Sequence, residues 1–296
     1  MWRLRSLCAR STRVRHKSLT PRALGNLHDV SEPQNITSPL LALPAMDVDR
    51  KRIETAMHES VQTPDSYLNE IASHLIVAGG KRLRPVLAVA AAQINGVVAS
   101  EDAVRGGVSC ELVHLGSLYH DDVMDEADTR RGVETVNAKW GNLQAIRAGD
   151  FLLSRASEIA ASLGTEVAGL LARTIGWLCE GQIAELRHTY DVSRPEPSYF
   201  TSIHGKTASL YGTAARIGGI VAGHDRVTID ALTDFGNAYG MVFQIVDDIL
   251  DVTATDDAAS LFQASDARGK ELPEMGCKVG NVMGSFAVQK YGLEGL

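Results

Sequence analysis

The chain has 296 residues, 45% of them hydrophobic, and a formal net charge of −7 at pH 7. Every apolar run falls short of the ~18 to 20 residues that a membrane span needs, so no transmembrane segment is expected. Cys8, Cys110, Cys179 and Cys277 form no C-x-x-C pair, which gives no sign of a zinc site or a disulfide framework.

Residues 1–28, MWRLRSLCARSTRVRHKSLTPRALGNLH, carry six Arg, one Lys and no acidic residue. That is the composition of an organelle-import segment without the apolar core of a secretory signal, and mitochondrial import is the expectation. Taking its +7 from the total of −7 leaves −14 for residues 29–296. A body this acidic argues against nucleic acid as a partner. Residues 29–45 hold three prolines and no periodicity and read as a linker.

Apolar residues then recur at helical spacing. YLNEIASHLIVAGG places Leu68, Ile71, Leu75 and Ile76 on one face and stops at a glycine pair. RPVLAVAAAQI follows, with Pro85 near a helix start. AVRGGVSCELVHLGSLYHDDVMDE, GNLQAIRAGDFLLSRASEIAASL, TEVAGLLARTIGWLCEGQIAEL, TASLYGTAARIGGIVAG and TIDALTDFGNAYGMVFQIVDDILDV continue the pattern. No alternating strand run with a hairpin turn is evident. The fold class is all-α, with about eight to ten helices and any site placed between facing helices.

Asp121, Asp122 and Asp125 form a D-D-x-x-D cluster, and Asp247, Asp248 and Asp251 repeat it. On a helix the first and last carboxylates of each cluster share a face, where like charges are destabilising, so something outside the chain must reward them. A lone D-D-x-x-D is more often a solvated helix end. Here Leu112, Val113 and Leu118 precede one cluster, and Val242, Phe243 and Ile245 the other, which puts both at the rim of a buried face. Hard oxygen ligands of this kind suit Mg²⁺ bound jointly with substrate phosphates. Opposed carboxylates also serve glycoside hydrolysis, but that chemistry needs neither six aspartates nor the adjacent Arg130 and Arg131.

Basic groups fit a diphosphate better. Lys81, Arg82 and Arg84 in GGKRLRP lie between a helix end and a helix start, where backbone N–H groups favour phosphate. Lys206 and Thr207 in HGKTASL are expected at another helix start. Either motif alone is also explained by a capped turn with an exposed lysine.

GGKRLRP, ELVHLGSLYHDDVMDEADTRRG, AGDFLLSRA, GKTASL and GMVFQIVDDILD together resemble the trans-polyprenyl diphosphate synthases, in matching order over about residues 65–255. The long-chain enzymes that make ubiquinone side chains, of the solanesyl and decaprenyl type, are the most similar group. The resemblance implies an isoprenoid-synthase-like helical bundle around a central cavity, spanning residues 46–255. It implies an enzyme that condenses isopentenyl diphosphate with an allylic diphosphate using Mg²⁺. Asp121 and Asp125, with Asp122 beside them, and Asp247, Asp248 and Asp251 would act with the metal, its ligands being Asp121, Asp125, Asp247 and Asp251. Arg130, Lys206, Thr207 and Gln244 would line the allylic site, and Lys81, Arg84, His114 and Arg131 the isopentenyl site.

In this family, bulky side chains four and five positions before the first aspartate block the product channel. Those positions are Ser117 and Gly116 here, so a long product is expected and Gly116→Phe should shorten it. After Asp251 the resemblance fails, and 256–296 is a divergent segment in which only Asp266, Gly269 and Lys270 echo the family's next turn. That keeps a second reading open, a weakly active or inactive regulatory subunit of a heteromeric synthase. A homodimer or a heteromer with another synthase subunit is the expected assembly.

Overall fold

The computed structural model describes residues 43, 45–189, 191 and 193–253, with the backbone alone for 250–253. The expected import segment, nearly all of the linker and the divergent segment 256–296 lie outside the described residues. Ten α-helices run through the described part. They are α1 (Met46–Ser60), α2 (Ser66–Val77), α3 (Leu83–Ala92), α4 (Glu101–Met124), α5 (Val136–Trp140), α6 (Asn142–Ser162), α7 (Thr165–Arg187), α8 (Glu196–Ile203), α9 (Ser209–Val221) and α10 (Arg226–Thr253). None of them is long and apolar enough to cross a membrane.

Local signals set several of the helix starts. Asp65 caps α2 by accepting from the N–H of Tyr67 at 2.9 Å and of Leu68 at 3.3 Å, and Ser100 caps α4 through the N–H of Ala103; each satisfies N–H groups the helix leaves open. Helix α4 is buried on nearly all sides from Ala103 to Asp122, as a core helix should be. It packs against α1, α3, α6 and α9, while α10 packs along α9. Close approach demands glycine at the α3–α4 crossing, where a Cβ on Gly107 would lie 2.6 Å from Pro85 Cα.

Two expectations need correction. A short antiparallel hairpin is present, with β1 (Thr129–Arg130) and β2 (Val133–Glu134) pairing Thr129 with Glu134 and Arg130 with Val133. Its turn residues Arg131 and Gly132 both have positive φ, 52° and 75°, as a two-residue type I′ turn requires. Strands of two residues are too short to show alternation in sequence. The second correction concerns Lys206 and Thr207, which do not begin a helix. They lie in a π-helical turn, His204–Ala208, that joins α8 to α9 without a break. The helix widens where it crosses α7 at backbone contact: a Cβ on Gly205 would sit 2.8 Å from Trp177 O.

Candidate active site

The first aspartate cluster closes α4. Asp125 is the C-cap, and its N–H donates to Asp121 O at 2.8 Å. Carboxylates here face the negative end of the helix dipole, so they need positive partners. Arg130 supplies one from β1, its Nε donating to Asp122 Oδ1 at 2.6 Å. Asp122 is 1% exposed, and its Oδ2 is buried without a hydrogen-bond partner among the described residues. Burial outweighs the arginine and pushes the Asp122 carboxyl up to about 6. Asp122 therefore points into the hairpin contact, whereas Asp121 is half-buried and Asp125 exposed. Burial also raises Asp121, against the pull of Lys206 and Arg130.

The second cluster is held by a chain of hydrogen bonds. Tyr199 of α8 donates its hydroxyl to Asp248 Oδ2 at 2.5 Å, and Gln244 Nε2 donates to Asp248 Oδ1 at 2.9 Å. Thr207 Oγ1 donates to Gln244 Oε1 at 2.7 Å. Burial raises the Asp248 carboxyl. The Tyr199 phenol is pushed far above its usual range, first by burial and then by Asp248, so it is a permanent donor. Asp247 is half-buried, and the side chain of Asp251 lies outside the described residues. Val242, expected on the buried rim, is instead 61% exposed.

Lys206 acts on both clusters. Its Nζ donates to Glu185 Oε2 of α7 at 2.7 Å. Burial opposes its charge, but Glu185, Asp121 and Asp125 hold the ammonium above its ordinary value. The same ammonium lowers both Asp121 and Asp248. One cation from the π-helical turn thus lies in the field of carboxylates on α4 and on α10.

A separate basic group surrounds His114. Burial, followed by Arg84, Arg131, Arg130 and Arg82, drives the His114 imidazole well below 6.5, so it is neutral at neutral pH. Arg84 is buried with its Cζ 4.5 Å above the Tyr211 ring, and its Nε has no hydrogen-bond partner among the described residues. Lys81 is exposed on the turn before α3. Arg131 donates from Nη1 to Leu75 O at 3.1 Å and to Gly79 O at the end of α2.

Gly116 and Ser117 separate in the structure. A Cβ on Gly116 would meet Gly149 O at 3.0 Å and Leu153 Cγ at 3.2 Å, so a phenylalanine there strikes the backbone of α6 before it could narrow a channel. Ser117, one turn before Asp121, lies on the aspartate face and donates its hydroxyl to His114 O at 2.8 Å. Sequence reasoning missed Tyr199 and Glu185. Neither carries a spacing signal, since their partners Asp248 and Lys206 lie 49 and 21 residues away in the chain.

The sequence model of the polyprenyl synthetase family matches residues 65–270. The chain belongs to the polyprenyl synthetase family. Among relatives, the nonaprenyl diphosphate synthase of Mycobacterium tuberculosis is 39% identical over 217 residues, 73% of this chain and 65% of that protein. The heptaprenyl diphosphate synthase component 2 of Geobacillus stearothermophilus is 40% identical over 210 residues, 71% of this chain and 65% of that one. This polyprenyl synthetase chain thus spans slightly under two thirds of the length of these relatives. Among solved structures, a polyprenyl synthase from Caulobacter crescentus complexed with calcium and isoprenyl diphosphate superposes with a TM-score of 0.72 at 28% identity, covering 84% of this chain and 85% of the other. The all-α fold is that of the family.

Proposed function

We propose that the chain is a prenyltransferase that condenses isopentenyl diphosphate with an allylic diphosphate and builds a long-chain polyprenyl diphosphate. The observation that carries this reading is Lys206, a single ammonium placed in the field of both aspartate clusters beside Glu185. The relatives' names, nonaprenyl and heptaprenyl diphosphate synthase, support a long product. The basic segment 1–28 supports mitochondrial import, and with it a role in supplying the ubiquinone side chain.

The donor set fits a hard divalent cation. Mg²⁺ is usually held by one or two carboxylates together with substrate phosphates, and the aspartates at the end of α4 and on α10 supply oxygens of that kind. Asp121, Asp125, Asp247 and Asp251 would hold it. When bound, Mg²⁺ would neutralise the allylic diphosphate and favour its departure.

The chain's own residues do the rest. Arg130, fixed by Asp122, and Lys206 present positive charge where the leaving diphosphate gains negative charge, which is the preorganised arrangement that stabilises a transition state. Thr207 and Gln244 orient that side of the site through Asp248. Lys81, Arg84, Arg131 and the neutral His114 receive isopentenyl diphosphate. The allylic C–O bond breaks, the isopentenyl double bond attacks the resulting cation, and the proton lost from the adduct passes to the released diphosphate. No protein nucleophile is needed.

The name of the Geobacillus relative as component 2 supports pairing of this chain with another synthase subunit. The intact aspartates favour the catalytic role over the regulatory one. The test incubates purified protein with farnesyl diphosphate, labelled isopentenyl diphosphate and Mg²⁺ and reads the products by chromatography. Long prenyl chains that vanish in Asp121→Asn are expected. Folded protein that incorporates no label with any allylic primer would overturn the reading.

A further inference from the structure

Two arginines with left-handed backbones converge on one turn. Arg82 has φ 50° and Arg131 φ 52°, a conformation that a non-glycine residue keeps only where its surroundings hold it. Arg82 donates from Nη1 to Gly79 O at 3.1 Å and from Nη2 to Ile76 O at 2.8 Å. Arg131 donates to Gly79 O as well, and to Leu75 O at 3.1 Å. Carbonyls at and just past the C-terminus of α2, the negative end of its dipole, therefore take bonds from both guanidiniums. Gly80 has φ 144°, a conformation that favours glycine, and a Cβ there would stand 3.0 Å from Arg131 Nη1 and 3.1 Å from Arg82 Nη1, so a larger residue would press on both guanidiniums.

Every nitrogen of the Arg82 guanidinium is already engaged. It is 4% exposed, and Glu54 of α1 takes its Nε at 2.9 Å and its Nη2 at 3.3 Å. Glu111 of α4 stands 3.7 Å from its Nη1. One side chain thus ties α1, α2, α3 and α4 together at the residue between Gly80–Lys81 and Arg84. GGKRLRP offers three cations, and the fold uses the middle one as a fastener.

We propose that Arg82, held by Glu54 and Glu111, is a positioning residue for isopentenyl diphosphate: it fixes the turn so that Lys81 and Arg84 face the ligand. Through the shared Gly79 carbonyl it also keeps the Arg130–Arg131 hairpin in register with them. This rests on the reading of the basic cluster as the isopentenyl site. It predicts that damage to the fastener is felt by one substrate and not by the other.

The test measures KM for both substrates, and kcat, in the wild type, Arg82→Lys, Glu54→Gln and Arg84→Ala, with thermal melting alongside. Lysine keeps the charge but lacks the planar fork that spans Glu54 and the α2 carbonyls, so Arg82→Lys should raise the isopentenyl KM about tenfold. Glu54→Gln removes one anchor and should raise it about threefold, with the allylic KM held within about twofold in both variants. A merely structural role would lower the melting temperature and the active fraction without moving one KM alone. That result, or a parallel rise of both KM values, overturns the proposal. If Arg82→Lys does not fold, Glu54→Gln decides, since its side chain is 44% exposed and its loss leaves the core packed. If Arg84→Ala raises the isopentenyl KM and Glu54→Gln does not, the positioning role alone falls. An Arg84→Ala enzyme with unchanged isopentenyl KM would remove the site reading itself, and the proposal with it.

Discussion

Tyr199→Phe isolates a single hydroxyl at the second aspartate cluster. The ring would keep its packing against Phe200, whose centroid lies 5.4 Å away, and its place under Arg194, whose Cζ is 5.8 Å from the ring centroid. What disappears is the 2.5 Å bond to Asp248 Oδ2, leaving that carboxylate with Gln244 at Oδ1. A hydrogen bond to a charged group contributes roughly 1.5–3 kcal/mol, and because Asp248 keeps one donor the lower value applies. At about 1.4 kcal/mol per factor of ten, kcat/KM should fall about tenfold. The same loss should lower the melting temperature by about 3–6 °C. Labelled isopentenyl diphosphate incorporation and differential scanning fluorimetry read the two effects. Gln244→Leu acts on the other oxygen of the same carboxylate, so the double variant should be markedly non-additive. A change under about twofold in kcat/KM would show that Asp248 does not depend on this network.

Three further outcomes follow from the geometry. His114 stays neutral because burial and then four arginines depress its pKa, while in the unfolded chain it protonates near 6.5. Its stabilising contribution is therefore complete above about pH 6.5 and is lost as pH falls toward the depressed folded value. Between about pH 7.5 and 5.5 the wild type should lose more melting temperature than His114→Gln, and equal losses would contradict the assignment. Ser117→Phe places bulk on the aspartate face and should shorten the product at nearly unchanged stability, read by reversed-phase chromatography. Gly116→Phe should instead destabilise the fold by about 1–3 kcal/mol through its clash with α6, and a stable Gly116→Phe protein would refute that contact.

The sequence shows most of what periodicity can carry. Helices α4, α6, α7, α9 and α10 are legible from apolar spacing, and the two aspartate clusters stand out because nothing in a helix rewards them. Helix α1 escapes because most of its residues are charged or polar and few of them face the core. The hairpin escapes because its strands are two residues long. The π-helical turn is invisible for another reason: it arises where Gly181 and Gly205 let two helices meet at the backbone, which is a tertiary event. Partners distant in the chain are equally hidden. Tyr199 meets Asp248 across 49 residues, and Arg82 meets Glu54 across 28, with no spacing rule to link them. Arg82 is the instructive case, since its neighbours in GGKRLRP make it resemble a phosphate ligand and only burial shows it to be fully engaged.

Under the proposed function the chain holds two diphosphates by two different means, carboxylates with a divalent cation for one and fixed cations for the other. Isothermal titration of the protein tests this most directly, with an unreactive thiodiphosphate analogue of farnesyl diphosphate and with isopentenyl diphosphate, each in Mg²⁺ and in chelator. The analogue should bind only with Mg²⁺ and lose its binding in Asp121→Asn, while isopentenyl diphosphate should bind in chelator and lose its binding in Arg84→Ala. Equal metal dependence of the two ligands, or loss of both in either variant alone, would contradict the division of the site.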